Sequence, residues 1–412
     1  MHRFLALSLV LCFACVSAAG EPAPVVAQRG MADATRDFGC DLYRVLAARE
    51  GNLFFSPYSI TAALAMTREG AGGATAEEMD RVMHFPPAGR ANGSRLLARA
   101  LAPSMEPDRD GDEWIEVPAY ELHVANGLWG QEGLGFEERF LRTLRSNFEA
   151  EIRRVDFQDP SAARATINRW VEEQTRERIK DLIPDGLPSA DSLLVLANAI
   201  HFKGPWADPF RERATKERTF HGPDGKEIRA SFLHRTGSYA YADLGDVRVV
   251  EIPYRGGEMA MTVLLPKAKD GLEALEAKLD GAALETWLGK LRGERVALSL
   301  PKFAFTTPVD LTEVLKGMGM KTAFDPQDAD FRGMTTEKPL CIGVVLHKAF
   351  VAVDEKGTEA AAATAVMMKL GGAPSHGEPV EFTADHPFLF LIRHRPTGAI
   401  LFQGRLEDPS QE

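Results

Sequence analysis

Residues able to do chemistry are present in this chain, but few stand at a spacing that chemistry uses. Asp108, Asp110 and Asp112 alternate around Gly111 like the start of a calcium loop. No downstream glutamate completes the ligand set, so a solvated polar loop over 103–111 is the better reading. The 10 histidines show no metal-ligand spacing. Gly317-Met318-Gly319 lacks the third glycine and the preceding strand of a dinucleotide fingerprint, and reads as a helix terminus. There is no Gly-x-Ser-x-Gly elbow, His-Glu-x-x-His pair or phosphate-binding P-loop. No metal and no cofactor are expected, and the chain does not read as an enzyme.

One stretch is unusual in another way. Asp354-Glu355-Lys356-Gly357-Thr358-Glu359-Ala360-Ala361-Ala362-Ala363-Thr364-Ala365-Val366 follows the apolar run 349–353 with no strong turn signal between them. Its alanines and threonines are small and uncharged, able to join either a helix or a sheet. Gly371-Gly372-Ala373-Pro374-Ser375-His376-Gly377-Glu378-Pro379 then reads as an exposed polar loop. On composition alone, an alanine-rich helix with a linker explains the segment equally well.

The elements around it are legible from periodicity. Phe38, Leu42, Val45 and Leu46 recur at helical spacing. Ser56-Pro57 opens a second helix whose body, Ile60 to Met66, is apolar on nearly every side and therefore buried. Thr75-Ala76-Glu77-Glu78 reads as a capping box that starts another helix. The span 168–183 reads as an amphipathic surface helix. The run 193–202 is continuously apolar, as in a strand buried on both faces. Strands are expected over 247–254, 259–265 and 296–305, and a terminal hairpin over 388–394 and 399–405. Helices early and strands late, with little βαβ alternation, give an α+β class.

Composition limits what the molecule does. A formal charge of −11 argues against nucleic acid as a dominant partner. His2 and Arg3, the apolar run 4–14 and the small residues Val16-Ser17-Ala18-Ala19 form the charged, apolar, small-residue order of a secretory leader over 1–19. That run is too short to span a bilayer, which needs roughly 20 apolar residues. A secreted protein without a membrane span is expected; lipidation at Cys15 is the disfavoured alternative. Residues 20–32 read as a flexible tail and 33–408 as one domain. Cys40 and Cys341 remain after the leader and read as unpaired, buried thiols.

Six fragments in order resemble the serpin family, and the resemblance spans nearly the whole chain after the leader. They are Asn52-Leu53-Phe54-Phe55-Ser56-Pro57-Tyr58-Ser59-Ile60, Leu196-Ala197-Asn198-Ala199-Ile200-His201-Phe202-Lys203-Gly204-Pro205-Trp206, and Leu300-Pro301-Lys302-Phe303 with Asp310-Leu311. The stretch 315–320, the run from His347-Lys348-Ala349 to Ala363, and Ala384-Asp385-His386-Pro387-Phe388-Leu389-Phe390 complete the set.

The resemblance implies three β-sheets, eight or nine helices and an exposed reactive loop at about 355–380. It implies a monomeric inhibitor that a serine protease cleaves as if it were substrate, after which the loop inserts into the central sheet. Glu355, Gly357, Thr358, Glu359, Ala360, Ala361, Ala362 and Ala363 match the loop hinge, with Thr358, Ala360, Ala362 and Thr364 facing inward on insertion. Ser56, Ser59, Asn198 and His347 match a polar cluster where the sheet opens; a buried His and Asn need such partners in any case. Trp206 matches the point where insertion starts, and Lys302 pairs with Glu355 there. Counting from Gly357 puts the scissile bond after Gly371, before Gly372; a register one residue shorter puts it after Leu370. Leu370 suits a chymotrypsin-, elastase- or subtilisin-like enzyme, and Lys369 a trypsin-like one. A cysteine protease target and a non-inhibitory member of the family are the alternatives; the small, uncharged hinge disfavours the second.

Overall fold

The computed structural model describes residues 23–110, 113–359 and 377–411. The leader, Ala360 to Ala363, Thr364 and the bond region Lys369, Leu370, Gly371 and Gly372 lie outside the described residues.

The first helix, Pro24–Leu46, corrects the expected tail at 20–32. Pro24 stands in the first turn, where its missing N–H would have had no partner anyway. Ala27, Met31, Phe38 and Leu42 then bury one face. The helix Arg90–Ala100 can come this close because Gly93 carries no side chain: a Cβ there would stand 2.4 Å from the Ala27 carbonyl oxygen.

The second helix, Pro57–Arg68, starts where expected, with the Ser56 side chain accepting from the Ser59 N–H. The capping box at Thr75 does not form. That helix, Gly73–Val82, has Gly72 at its N-cap, three residues before Thr75, and Thr75 Oγ1 accepts from the Asp330 N–H instead, at 3.0 Å. The amphipathic helix is shifted as well. It runs Pro160–Gln174, capped by Asp159, and left-handed backbone at Arg176 and Glu177 ends it before 183. The Asn168 side chain then holds the returning chain by two hydrogen bonds to Ile183.

The expected polar loop over 103–111 is part of a hairpin, Met105–Asp110 on Glu113–Pro118. Asp108 serves an ion pair with Arg255 at 2.9 Å, where the sequence reading had it solvated. The strand expected over 296–305 is two strands, Arg292–Pro301 and Phe303–Asp310, broken at Lys302 where the chain passes from one sheet to another.

Among the described residues there are nine α-helices and three sheets, of nine, six and two strands. The large sheet holds both expected hairpins, Val247–Pro253 with Met259–Pro266 and Phe388–His394 with Ile400–Leu406. The six-stranded sheet runs in the order Phe303–Asp310, Val344–Val353, Gly357–Thr358, Leu194–Pro205, Glu121–Gln131, Ile152–Val155. Aromatic rings fill part of the shared core: Phe54 stacks on Phe402 at 5.0 Å and on Phe390 at 5.6 Å. Among the described residues no helix is long and apolar enough to cross a membrane.

Candidate functional site

The centre of the six-stranded sheet contains a seam. Val344 to Ala349 pair in parallel with Val195 to Ile200, and beyond that point the two strands part. The chain leaves Val353, turns on the Asp354 carboxylate, which accepts from the N–H groups of Lys356 and Gly357, and comes back into the gap. There Thr358 pairs with Val353 on one side and Gly204 on the other, and Gly357 with Pro205. The loop expected to be exposed from 355 is therefore buried at its start: Thr358 is only 2% exposed and Glu355 8%. The reason is steric as well as polar. A Cβ on Gly357 would lie 2.1 Å from the Gly204 carbonyl oxygen, so only glycine fits between the strands.

Trp206 locks the turn from above. Its indole N–H donates to the Asp354 carbonyl and its backbone N–H to that of Lys356, both at 2.9 Å. Its ring stacks on Tyr254 at 4.6 Å, and the Tyr254 hydroxyl bonds Thr358 Oγ1 at 2.6 Å. Glu355 pairs with Lys302 at 2.8 Å and accepts from Thr215 Oγ1 at 2.7 Å. Burial pushes the Glu355 carboxyl upward, but the Lys302 and Thr215 hydrogen bonds outweigh it and hold the group below the usual range. Lys302 is partly exposed, so this pair contributes only about 0–1 kcal/mol. Glu359 adopts left-handed backbone at φ 52°, donates its N–H to Ala352, and buries its carboxylate against His201, with Arg178 at 3.5 Å.

Lower in the seam, Ser56, Ser59, Asn198 and His347 come together. The Ser56 N–H donates to His347 Nε2 at 3.0 Å, so the ring proton resides on Nδ1, which faces Asn198 Oδ1. Asn198 Nδ2 donates to Ser59 Oγ and to Asn126 Oδ1. Ser56 Oγ donates to the Leu401 carbonyl, tying the cluster to the large sheet. Desolvation by burial lowers the His347 pKa to about 3, so the ring is neutral at physiological pH. His347 and Asn198 are direct partners in the parallel pairing of their strands, so this contact is also what closes the seam.

Asn126, Tyr254, Thr215 and His201 belong to these two constellations and were missed in the sequence. Asn126 had a signal: it interrupts an apolar run, and it lies opposite Asn198 in the strand pairing. The other three gave none, since each is recruited from an element far away in the chain.

A family model described as serpin (serine protease inhibitor) matches residues 33–409. The chain is a serpin. It is 42% identical to a serpin-like protein of Thermococcus kodakarensis over 95% of this chain and 87% of that one. It is 39% identical to human Serpin B4 over 92% of this chain and 99% of its relative. Among solved structures, Serpin48 of the insect Tenebrio molitor superposes with a TM-score of 0.80 at 29% identity, covering 92% of this chain and 98% of that one. Human thyroxine-binding globulin gives the same TM-score and identity, over 93% and 99%. Serpins are mostly protease inhibitors, and some are not inhibitory. In this serpin the two-residue strand Gly357–Thr358 and the polar cluster lie in one seam, with Gly204 opposite Thr358 about six residues along the strand from Asn198.

Proposed function

We propose that this serpin inhibits a serine protease as a suicide substrate. The protease serine oxygen attacks the carbonyl carbon of the bond after Leu370 or Gly371. The amide C–N bond breaks, the leaving amine takes a proton, and an ester joins the loop to the enzyme. The freed loop continues as a strand between Val344–Val353 and Leu194–Pro205, and carries the ester away before water hydrolyses it.

One observation carries this reading: Gly357 and Thr358 already occupy the gap in antiparallel register with Leu194–Pro205. Continuing that register would bring Ala360 and Ala362 onto the Thr358 face, opposite Phe202 and Ile200. Thr364 would come between Asn198 and His347, where its hydroxyl can take over the contact that the new strand separates. The inward set, Thr358, Ala360, Ala362 and Thr364, would bring no charge into the sheet, where an unpaired charge is expensive. The gain comes from new ladder hydrogen bonds and buried side chains, so the native state is held kinetically.

Hydrophobic primary specificity through Leu370, in the manner of a chymotrypsin-, elastase- or subtilisin-like target, and export directed by the apolar leader are parts of the same proposal. The test is incubation with chymotrypsin, elastase, subtilisin and trypsin, followed by denaturing electrophoresis and sequencing of the released C-terminal peptide. A complex that survives denaturation, with a peptide starting at Gly371 or Gly372, is expected. Clean turnover of the chain by every enzyme, without a complex, would overturn the inhibitory reading.

A further inference from the structure

The hairpin Met105–Asp110 with Glu113–Pro118 belongs to neither of the two larger sheets and has no part in the seam. It stands at the mouth of the seam all the same. The chain runs from it directly into the strand Glu121–Gln131, whose first residue pairs with Lys203, next to the Gly204 that faces Thr358. Its root also rests on the turn after Tyr254. Arg255 donates its backbone N–H to the Pro205 carbonyl, and its guanidinium pairs with Asp108 at 2.9 Å, both side chains being nearly buried. Gly256 lets the root come close, since a Cβ there would lie 2.9 Å from that of Ala119. The hairpin is thus anchored beside the strand end where the reactive loop starts.

Side chains alternate across a strand, and Asp108 with its cross-strand partner Ile115 takes the face toward Arg255. Met105, Pro107, Trp114 and Pro118 therefore share the other face with Arg109 and Glu116. Trp114 is 70% exposed and Met105 54%. A two-stranded sheet ordinarily gains its stability by packing its apolar residues away. An exposed apolar face that includes a tryptophan has instead the composition of a binding surface. Its charge limits the partner. Residues 105–118 carry six carboxylates against the single Arg109, and Arg255 neutralises one of them, Asp108. That excess repels a second copy of this chain or an anionic lipid surface, and attracts a cationic protein.

We propose that this face is a second contact for the target protease, docking on a cationic, partly apolar rim beside the cleft that takes the loop. The proposal rests on the inhibitory reading, which brings a protease to this end of the sheet. The probe is chymotrypsin, a basic enzyme with a hydrophobic primary pocket, used in two forms. Anhydrochymotrypsin, whose catalytic serine has become dehydroalanine, binds a loop without acylation; the active enzyme reports inhibition. Trp114→Ser should weaken binding of the anhydro form about tenfold, the scale of one aromatic anchor, and slow inhibition of the active form by the same factor. The number of serpin molecules consumed per protease should stay at the wild-type value, because the seam is untouched. Glu113 and Glu116 are exposed, and replacing both by Gln should flatten the loss of binding as salt rises. Equal binding by wild type and Trp114→Ser overturns the proposal, as does a failure of anhydrochymotrypsin to bind at all. Turnover of the chain without a stable complex, with binding still dependent on Trp114, overturns the inhibitory reading and leaves the contact standing.

Discussion

The hydroxyls of Tyr254 and Thr358 lie 2.6 Å apart, joining the end of the strand Val247–Pro253 to the two-residue strand Gly357–Thr358. The start of the loop is thus already docked in the intact molecule, under the Trp206 indole.

Thr358→Arg should undo that docking. The guanidinium has no partner between Tyr254 and Gly204, and desolvating it costs several kcal/mol. The variant should be cut at the normal rate but deacylate before the loop enters the sheet. Counting protease molecules inhibited per molecule of serpin checks this; an unchanged ratio counts against strand insertion.

Cleavage between Met368 and Ala373 should raise resistance to heat by tens of degrees, provided the loop then pairs along both strands of the seam. Melting curves of intact and cut protein decide it. Coincident curves mean that no strand was added.

Acid should loosen the seam. Native His347 titrates near 3 because it is buried, whereas the unfolded ring titrates near 6.5. The native state therefore excludes a proton that the unfolded chain accepts. Its stability contribution is complete above pH 6.5 and falls as pH drops toward 3, by about 1.4 kcal/mol at pH 5.5. Unfolding rates measured from pH 7 to pH 5 should rise in the wild type. In His347→Gln, which keeps an acceptor without the titration, the profile should flatten over that range. Parallel profiles would show that another group controls the acid response.

Leu370→Ala should slow inhibition of a protease with a hydrophobic primary pocket by about ten- to a hundredfold, the value of burying one leucine side chain. Lys369→Ala should have little effect on the same enzyme. The reverse ranking in association rates, with a cut after Lys369, would identify a trypsin-like target.

Much of this was legible in the sequence where the signal is local. Ser56-Pro57 announces its helix, the continuously apolar run 193–202 announces the central strand, and the terminal hairpin falls where its Pro-Thr-Gly turn predicts. Reading failed where a distant partner decides. Pro24 to Ala32 looked like a tail because the composition cannot show that Gly93 will accept Ala27 against it. Thr75 had the right spacing for a cap, but Asp330 claims its hydroxyl. Burial of the hinge was illegible for the same reason: it depends on Gly204 and Tyr254, which the sequence separates from Thr358 by a hundred residues and more.

The two-residue strand at Gly357 and Thr358 also has a kinetic meaning. Adding a strand to a sheet ordinarily requires a rare first contact, with the entropy of closing a loop lost before any ladder bond forms. Under the proposed inhibitory function, this pair would be the nucleus, in place before the protease arrives. Propagation would then run one residue pair at a time down the seam until it meets the paired His347 and Asn198. Insertion should therefore begin without a lag, and its slowest step should lie at that contact and not at the mouth of the sheet.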